Sequence, residues 1–243
     1  VYPLEGHNGI FGPDDVQGAI RSGSLHAPRS RLVVVEQTSN LGGGAVWPLK
    51  QLEAVSRVAR DHDLSLHMDG ARLMNAVVAA GVSAANFSAT VDSVWLDLSK
   101  GLGCPVGAVL SGSREFIHEA WRWKHRIGGA MRQAGIVAAA GSWALKHHVD
   151  RLAEDHENAQ LLAKRISALD GVTLVNEKVE TNMVFFDVSK TPLSAAEISA
   201  RLREKGIWIG PFGEQKMRAV THLDVRREDV IETSDALADI LIH

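Results

Sequence analysis

A lysine follows an apolar run in Asp92-Ser-Val-Trp-Leu-Asp-Leu-Ser-Lys100, and glycines stand close behind it at Gly101, Gly103 and Gly107. Val94, Trp95, Leu96 and Leu98 predict a strand buried on both faces, with Lys100 delivered at its carboxyl end. An ammonium at such a place loses hydration, which favours the free amine, the form that attacks carbonyl groups. A second polar cluster stands in the same relation to a strand: Leu64-Ser-Leu-His-Met-Asp69-Gly-Ala-Arg72 closes an apolar segment with a carboxylate and an arginine. Open α/β sheets bind ligands at the carboxyl ends of their parallel strands. A lysine for a Schiff base and an aspartate that keeps a pyridine nitrogen protonated are what a pyridoxal phosphate (PLP) site requires. The residues alone also allow a plainer structure, in which Lys100 lays its stem along the strand end and Asp69 pairs with Arg72 at a helix start.

Four segments carry a family resemblance: His67-Met-Asp-Gly-Ala-Arg-Leu-Met-Asn-Ala76, Leu98-Ser-Lys-Gly-Leu-Gly-Cys-Pro-Val-Gly107, Gly128-Gly-Ala-Met-Arg-Gln-Ala-Gly135 and Val220-Thr-His-Leu-Asp-Val225. Together they resemble the low-specificity L-threonine aldolases, fold-type I PLP enzymes akin to the β-eliminating lyases, and the similarity runs through almost the whole chain in the family's order. The resemblance implies that Lys100 carries the cofactor, that Asp69 meets the pyridine nitrogen, and that Arg72 and Arg132 help to bind the cofactor. It further implies that Arg218, with Arg72, takes the substrate carboxylate, and that His26, in Leu25-His-Ala-Pro-Arg29, lies near the substrate hydroxyl as a catalytic group. The reaction so implied is cleavage of L-threonine, L-allo-threonine and related β-hydroxy-α-amino acids to glycine and an aldehyde. Its rivals are another PLP reaction on the same scaffold, such as β-elimination or amino transfer, and a non-catalytic piece. The chain opens Val1-Tyr-Pro-Leu, with neither an initiator methionine nor a signal peptide. It reads as part of a longer protein, lacking the family's first portion, which holds the Gly/Ser/Thr turn for the cofactor phosphate and a histidine that stacks on the ring. A homodimer or homotetramer is expected from the same likeness.

The elements needed to hold these residues are legible in outline. Apolar runs at 31–37, 64–70 and 94–98 alternate with helical spacing at 13–22, 48–61 and 71–80, the order of right-handed parallel crossovers. The strand at 106–110 follows so short a connection through Gly107 that an antiparallel return is expected. Gly42-Gly-Gly44 reads as a flexible turn, since no helix opens directly behind it as a dinucleotide fingerprint demands. Two helices follow Ser113, parted near Gly128-Gly129, and 136–169 reads as one long helix or two. Short strands at 172–175, 183–188, 207–209 and 216–221 then mix with helices at 194–205 and 228–241. The fold expected is α/β: a three-layer large domain of the fold-type I kind over 1–150, a mostly parallel sheet between helices, then a connecting helix and a small α+β domain over 151–243.

With 243 residues, 45% hydrophobic and a net charge of -3, the composition gives no reason to invoke nucleic acid or an anionic membrane. The only cysteine, Cys104, excludes an intrachain disulfide and fits a reducing cytoplasm. His67 with Asp69 and His222 with Asp224 lack a third ligand at metal spacing, so no metal is expected.

Overall fold

The computed structural model describes residues 1–242 and divides into two compact units, the first made of residues 1–39 and 46–150, the second of residues 40–45 and everything from Arg151 onward.

In the first unit α1 (Pro13–Ala19) starts on a proline and two aspartates and buries Val16. The β-branched run 33–35 forms β1 (Leu32–Glu36), and α2 (Leu49–Asp61) buries Leu52, Val55 and Ala59 along one face. β2 (Ser65–Gly70) leads to α3 (Leu73–Ala80), which ends on Gly81 in the left-handed conformation. Where the sequence reads only a turn, Ser83 caps a short helix, α4 (Ala84–Ser88), through a bond from Asn86 N at 3.1 Å. β3 (Ser93–Asp97) and β4 (Ala108–Gly112) complete a sheet of order β1-β2-β3-β4; its first three strands are parallel and β4 returns antiparallel. α5 (Arg114–Arg126), capped by Ser113, and α6 (Gly135–His147) follow.

Strand register decides what each face of this sheet carries. Val33, Val35, Leu66, Met68 and Val94 turn towards Trp47, Leu52 and Phe87 and make the core. Glu36, Asp69 and Trp95 are cross-strand partners, so they share the other face with His67 and Ser93. That face is open, with Leu32 at 54% and Val34 at 49% exposure. The strand before Lys100 is therefore not buried on both sides as expected: Trp95 and Leu96 are half-buried. Gly70, at the end of β2, permits the close approach of β3, since a Cβ there would stand 2.4 Å from the Trp95 carbonyl oxygen.

The second unit is α+β. α7 (Leu152–Ile166) is separate from α6: the chain leaves the helix at His148, whose Nδ1 is hydrogen-bonded to Leu102 O at 2.7 Å. β5 (Thr173–Leu174), β6 (Met183–Asp187), α8 (Ala195–Glu204), β7 (Gly210–Pro211), β8 (Lys216–Val220) and α9 (Arg227–Ile242) follow, with the strands antiparallel in the order β5-β6-β8-β7. Phe186, Met217, Ile198, Leu202, Ile166 and Leu237 lie in its core. The strand expected at 207–209 does not form. Ile207 N bonds to Leu202 O at 2.9 Å and Ile209 O accepts from Ser199 Oγ at 2.7 Å, so α8 takes the groups a strand would have used.

Residues 40–45 correct another expectation. Gly42, Gly43 and Gly44 are buried, and Asn176 Nδ2 and Thr181 Oγ1 donate to Gly42 O and Gly44 O at 3.0 and 2.8 Å. Gly43 and Gly44 have φ of +77° and +78°, and a Cβ at either would meet Asn176 or Thr181 within 2.3 Å. This is a fixed, packed turn.

Candidate active site

Lys100 stands just past β3, in a turn closed by Gly103 N bonding to Lys100 O at 2.9 Å. Its Nζ donates to Asp97 Oδ2 and lies 5.1 Å from the centroid of the Trp95 ring. Asp97 is 7% exposed, and its other oxygen accepts from both Ser99 N and Ser99 Oγ at 2.7 Å. Burial works to raise the Asp97 carboxyl, yet the bonds from Lys100 and Ser99 outweigh it and hold the group below its ordinary range. The Lys100 side chain remains 38% exposed. The strand end thus supplies a carboxylate partner for the ammonium, not the dehydrated setting expected from the apolar run.

Asp69 closes β2. Its Oδ1 accepts from Ala71 N at 3.0 Å, an Asx turn that carries the chain into α3 with Arg72 as the residue before the helix. Gln37, one residue beyond β1, braces this turn twice: its amide donates to Asp69 O at 2.8 Å and its carbonyl accepts from Arg72 N at 2.9 Å. The Gln37 side chain is fixed in turn, Oε1 accepting from Trp47 N at 3.0 Å and Nε2 donating to Trp47 O at 3.3 Å. On the same face His67 Nδ1 is hydrogen-bonded to Ser93 Oγ at 2.8 Å; burial lowers the imidazole against the opposing pull of Asp69.

Beside Gln37, the Thr38 hydroxyl is buried and has no hydrogen-bond partner among the described residues. A pyridoxal group offers a carbonyl, a basic ring nitrogen and a phenolic oxygen. An amine, a carboxylate and a buried hydroxyl at the ends of neighbouring strands match those functions, so the residues present fit the group.

The other expected site residues stand on other elements. His26 is exposed on the turn Ser24–Ala27, where its amide donates to Ser24 Oγ at 3.2 Å. Arg132 is exposed between α5 and α6. Arg218 belongs to the second unit: on β8 it is half-buried, donates from Nη1 to Asn40 Oδ1 at 3.3 Å, and lies over the Phe212 ring at 5.4 Å. Phe212 is itself set edge-on against Phe185 at 5.0 Å. Sequence reasoning misses Asp97 and Trp95 as site residues, and finds Gln37 and Asn40 only as polar groups gathered where the 31–37 strand ends. The Asp-x-Ser spacing of an Asx turn, with a lysine three residues beyond the acid, is the signal that could have found Asp97.

Among the described residues, no three His, Cys, Asp or Glu side chains group as a metal site, and no helix is long and apolar enough to cross a membrane.

A family model described as β-eliminating lyase matches residues 1–190. The chain is 39% identical over 227 residues to a low-specificity L-threonine aldolase of Escherichia coli K12, covering 93% of this chain and 65% of that protein. It is 37% identical over 226 residues to low-specificity L-threonine aldolase 1 of Arabidopsis thaliana, covering 92% of this chain and 63% of that one. It therefore spans slightly less than two thirds of the length of these curated relatives. Among solved structures, a Leishmania major threonine aldolase superposes with a TM-score of 0.79 at 19% identity, over 97% of this chain and 68% of the other. A Thermus thermophilus aspartate aminotransferase superposes at 0.68 and 20% identity, over 96% and 64%. These two likenesses bear on the fold, which is that of the fold-type I enzymes: a mostly parallel sheet flanked by helices, with a small antiparallel sheet.

Proposed function

The chain belongs to the β-eliminating lyase family, and from that premise we propose that it cleaves L-threonine, L-allo-threonine and related β-hydroxy-α-amino acids to glycine and an aldehyde with PLP as cofactor. The observation that carries this reading is that Asp69 lies in the carboxyl end of β2 and Lys100 just past that of β3, adjacent parallel strands at whose ends open α/β sheets bind ligands.

PLP, when bound, supplies an electron sink for the pair left on Cα as the Cα–Cβ bond breaks. Lys100 would be the amine that holds it, Asp69 would keep a proton on its ring nitrogen, and Arg72 and Arg132 would meet its anionic groups. Arg218 presents a planar fork suited to the substrate carboxylate, and Arg72 presents another. A carboxylate held at two points fixes rotation about Cα, and that rotation selects the bond that breaks. A base must accept the β-hydroxyl proton as the hydroxyl carbon leaves as an aldehyde, and the family likeness sets His26 near that hydroxyl.

Exposed apolar side chains support a homodimer or homotetramer: Trp121, Trp123, Ile127 and Met131 at the end of α5 and beyond it, with Ile136 and Trp143 on α6. Native mass measurement showing only monomer at high concentration overturns that part.

Product analysis tests the reaction. With L-threonine and PLP the protein should release glycine and acetaldehyde in equal amounts, whereas 2-oxobutyrate would sink the aldol assignment.

A further inference from the structure

Lys100 does not stand alone at the end of β3. Trp95 and Asp97 are two residues apart on that strand, so both project to the same face, and the Lys100 ammonium meets both. The ring and the carboxylate form two walls around one amine. The carboxylate wall is fixed: Asp97 Oδ1 is occupied by the Ser99 amide and hydroxyl, which leaves Oδ2 aimed at Lys100. A nearly buried carboxylate is costly without a cation, and among the described residues Lys100 is the only cation in ion-pair contact with Asp97. Each therefore holds the other.

We propose that Asp97 is a positioning residue for Lys100: whenever the amine is uncommitted, Asp97 retains it as an ammonium at the end of β3 and so governs when it becomes nucleophilic. This deepens the proposed function, on whose assignment of Lys100 as the reactive lysine it rests. For Lys100 to engage a carbonyl its proton must leave and the pair with Asp97 must loosen. Asp97 thus competes with the carbonyl, and Ser99 strengthens the competitor by holding the carboxylate in place. The electrostatic surroundings agree. The Cys104 thiol is pushed up by burial and by the negative charge of Asp97, while His67 and Asp69 face the same side of the sheet from β2. Trp95 adds attraction for the charged amine only.

The test is competitive acetylation of the cofactor-free protein with acetic anhydride, read lysine by lysine by mass spectrometry across a pH series. Asp97→Asn keeps the side-chain volume and an acceptor for Ser99 but removes the charge. Lys100 in this variant should acetylate roughly three- to tenfold faster at neutral pH, the gain expected for a lost, partly exposed pair, and the gain should shrink as the pH is raised. Exposed Lys50 should be unchanged in the same samples. Ser99→Ala, altered at an exposed position, should give an intermediate gain; this second variant keeps the question answerable if Asp97→Asn folds poorly. Equal Lys100 rates in wild type and both variants overturn the proposal and leave Asp97 as a turn-closing residue only. Borohydride reduction with PLP, followed by peptide mapping, separates this from the premise. An adduct on another lysine overturns the assignment of Lys100, whatever acetylation shows. An adduct on Lys100 with unchanged acetylation overturns the role of Asp97 alone.

Discussion

Across 178 positions of sequence, Arg218 Nη1 donates to Asn40 Oδ1 at 3.3 Å, and the same guanidinium lies over the Phe212 ring. One edge of the fork is thereby fixed by an amide and one face by an aromatic ring, which reduces the rotamer freedom lost when a carboxylate binds. Arg218→Lys, which keeps the charge but not the fork, should raise KM for L-threonine about ten- to hundredfold, in keeping with charge-assisted hydrogen bonds of about 1.5–3 kcal/mol. Asn40→Ala should raise KM a few-fold and leave kcat nearly unchanged. Steady-state kinetics on both variants checks the pair, and an unchanged KM in Arg218→Lys removes this arginine from carboxylate binding.

Gly70 is where backbone meets backbone. Because the Trp95 carbonyl would lie 2.4 Å from an added Cβ, Gly70→Ala must push β2 away from β3. The cost should be about 1–3 kcal/mol, as for other overpacked sites. A urea titration should show an earlier midpoint, with retention of added PLP after gel filtration falling as well, since Asp69 and the Asx turn are displaced along with the strand. An unaltered midpoint would mean that the two strands can part at no cost.

His156 gives the second unit a titration in the acid range. It is buried on α7, and burial lowers its pKa from 6.5 to about 4. The unfolded chain therefore binds the extra proton first as pH falls, and stability is full above the unfolded value and lost on the way down to the folded one. Between pH 6.5 and about 4 this group alone should cost up to roughly 3 kcal/mol. Chemical denaturation across that window should show a steep decline in wild type and a flatter one in His156→Gln.

Arg151 and Asp155 form a pair of unequal burial at the start of α7, joined at 2.7 Å, with Asp155 fully buried. Burial raises the Asp155 carboxyl and Arg151 opposes that rise. Arg151→Met leaves the charge uncompensated and should cost about 3–5 kcal/mol at neutral pH. The loss should shrink as pH falls through the raised carboxyl value and the acid takes up its proton. Adding Asp155→Leu should restore most of the stability; a double variant no better than the single one would place the cost elsewhere.

The frame of the site was legible because strand ends are punctuated. Asp69 and Lys100 each follow an apolar run, and the parallel order of their strands could be inferred from the helices between them. Trp95 and Asp97 were not legible as site residues, since a tryptophan and an acid inside an apolar run look like core and interruption; only the register shows that they share the open face with Asp69. The brace from Gln37 runs through backbone groups, which no side-chain pattern records. Asn40 could not be connected to Arg218 from spacing because the contact is closed by tertiary packing alone. His26, Arg132 and Arg218 owe their assignments to family likeness, and nothing in their own periodicity would have singled them out.

The triglycine turn has a consequence for how the chain can be divided. A polypeptide beginning at Arg151 would keep every helix and strand of the second unit yet lose Gly42 and Gly44, the acceptors that satisfy Asn176 and Thr181, and with Asn40 the amide that steadies Arg218. Asn176 and Thr181 would then each lose a buried backbone acceptor. The boundary between the units is a boundary in space without being one in sequence: a recombination or domain exchange that cuts once near residue 150 transfers an unfinished body, whereas one that carries residues 40–45 along transfers a whole one.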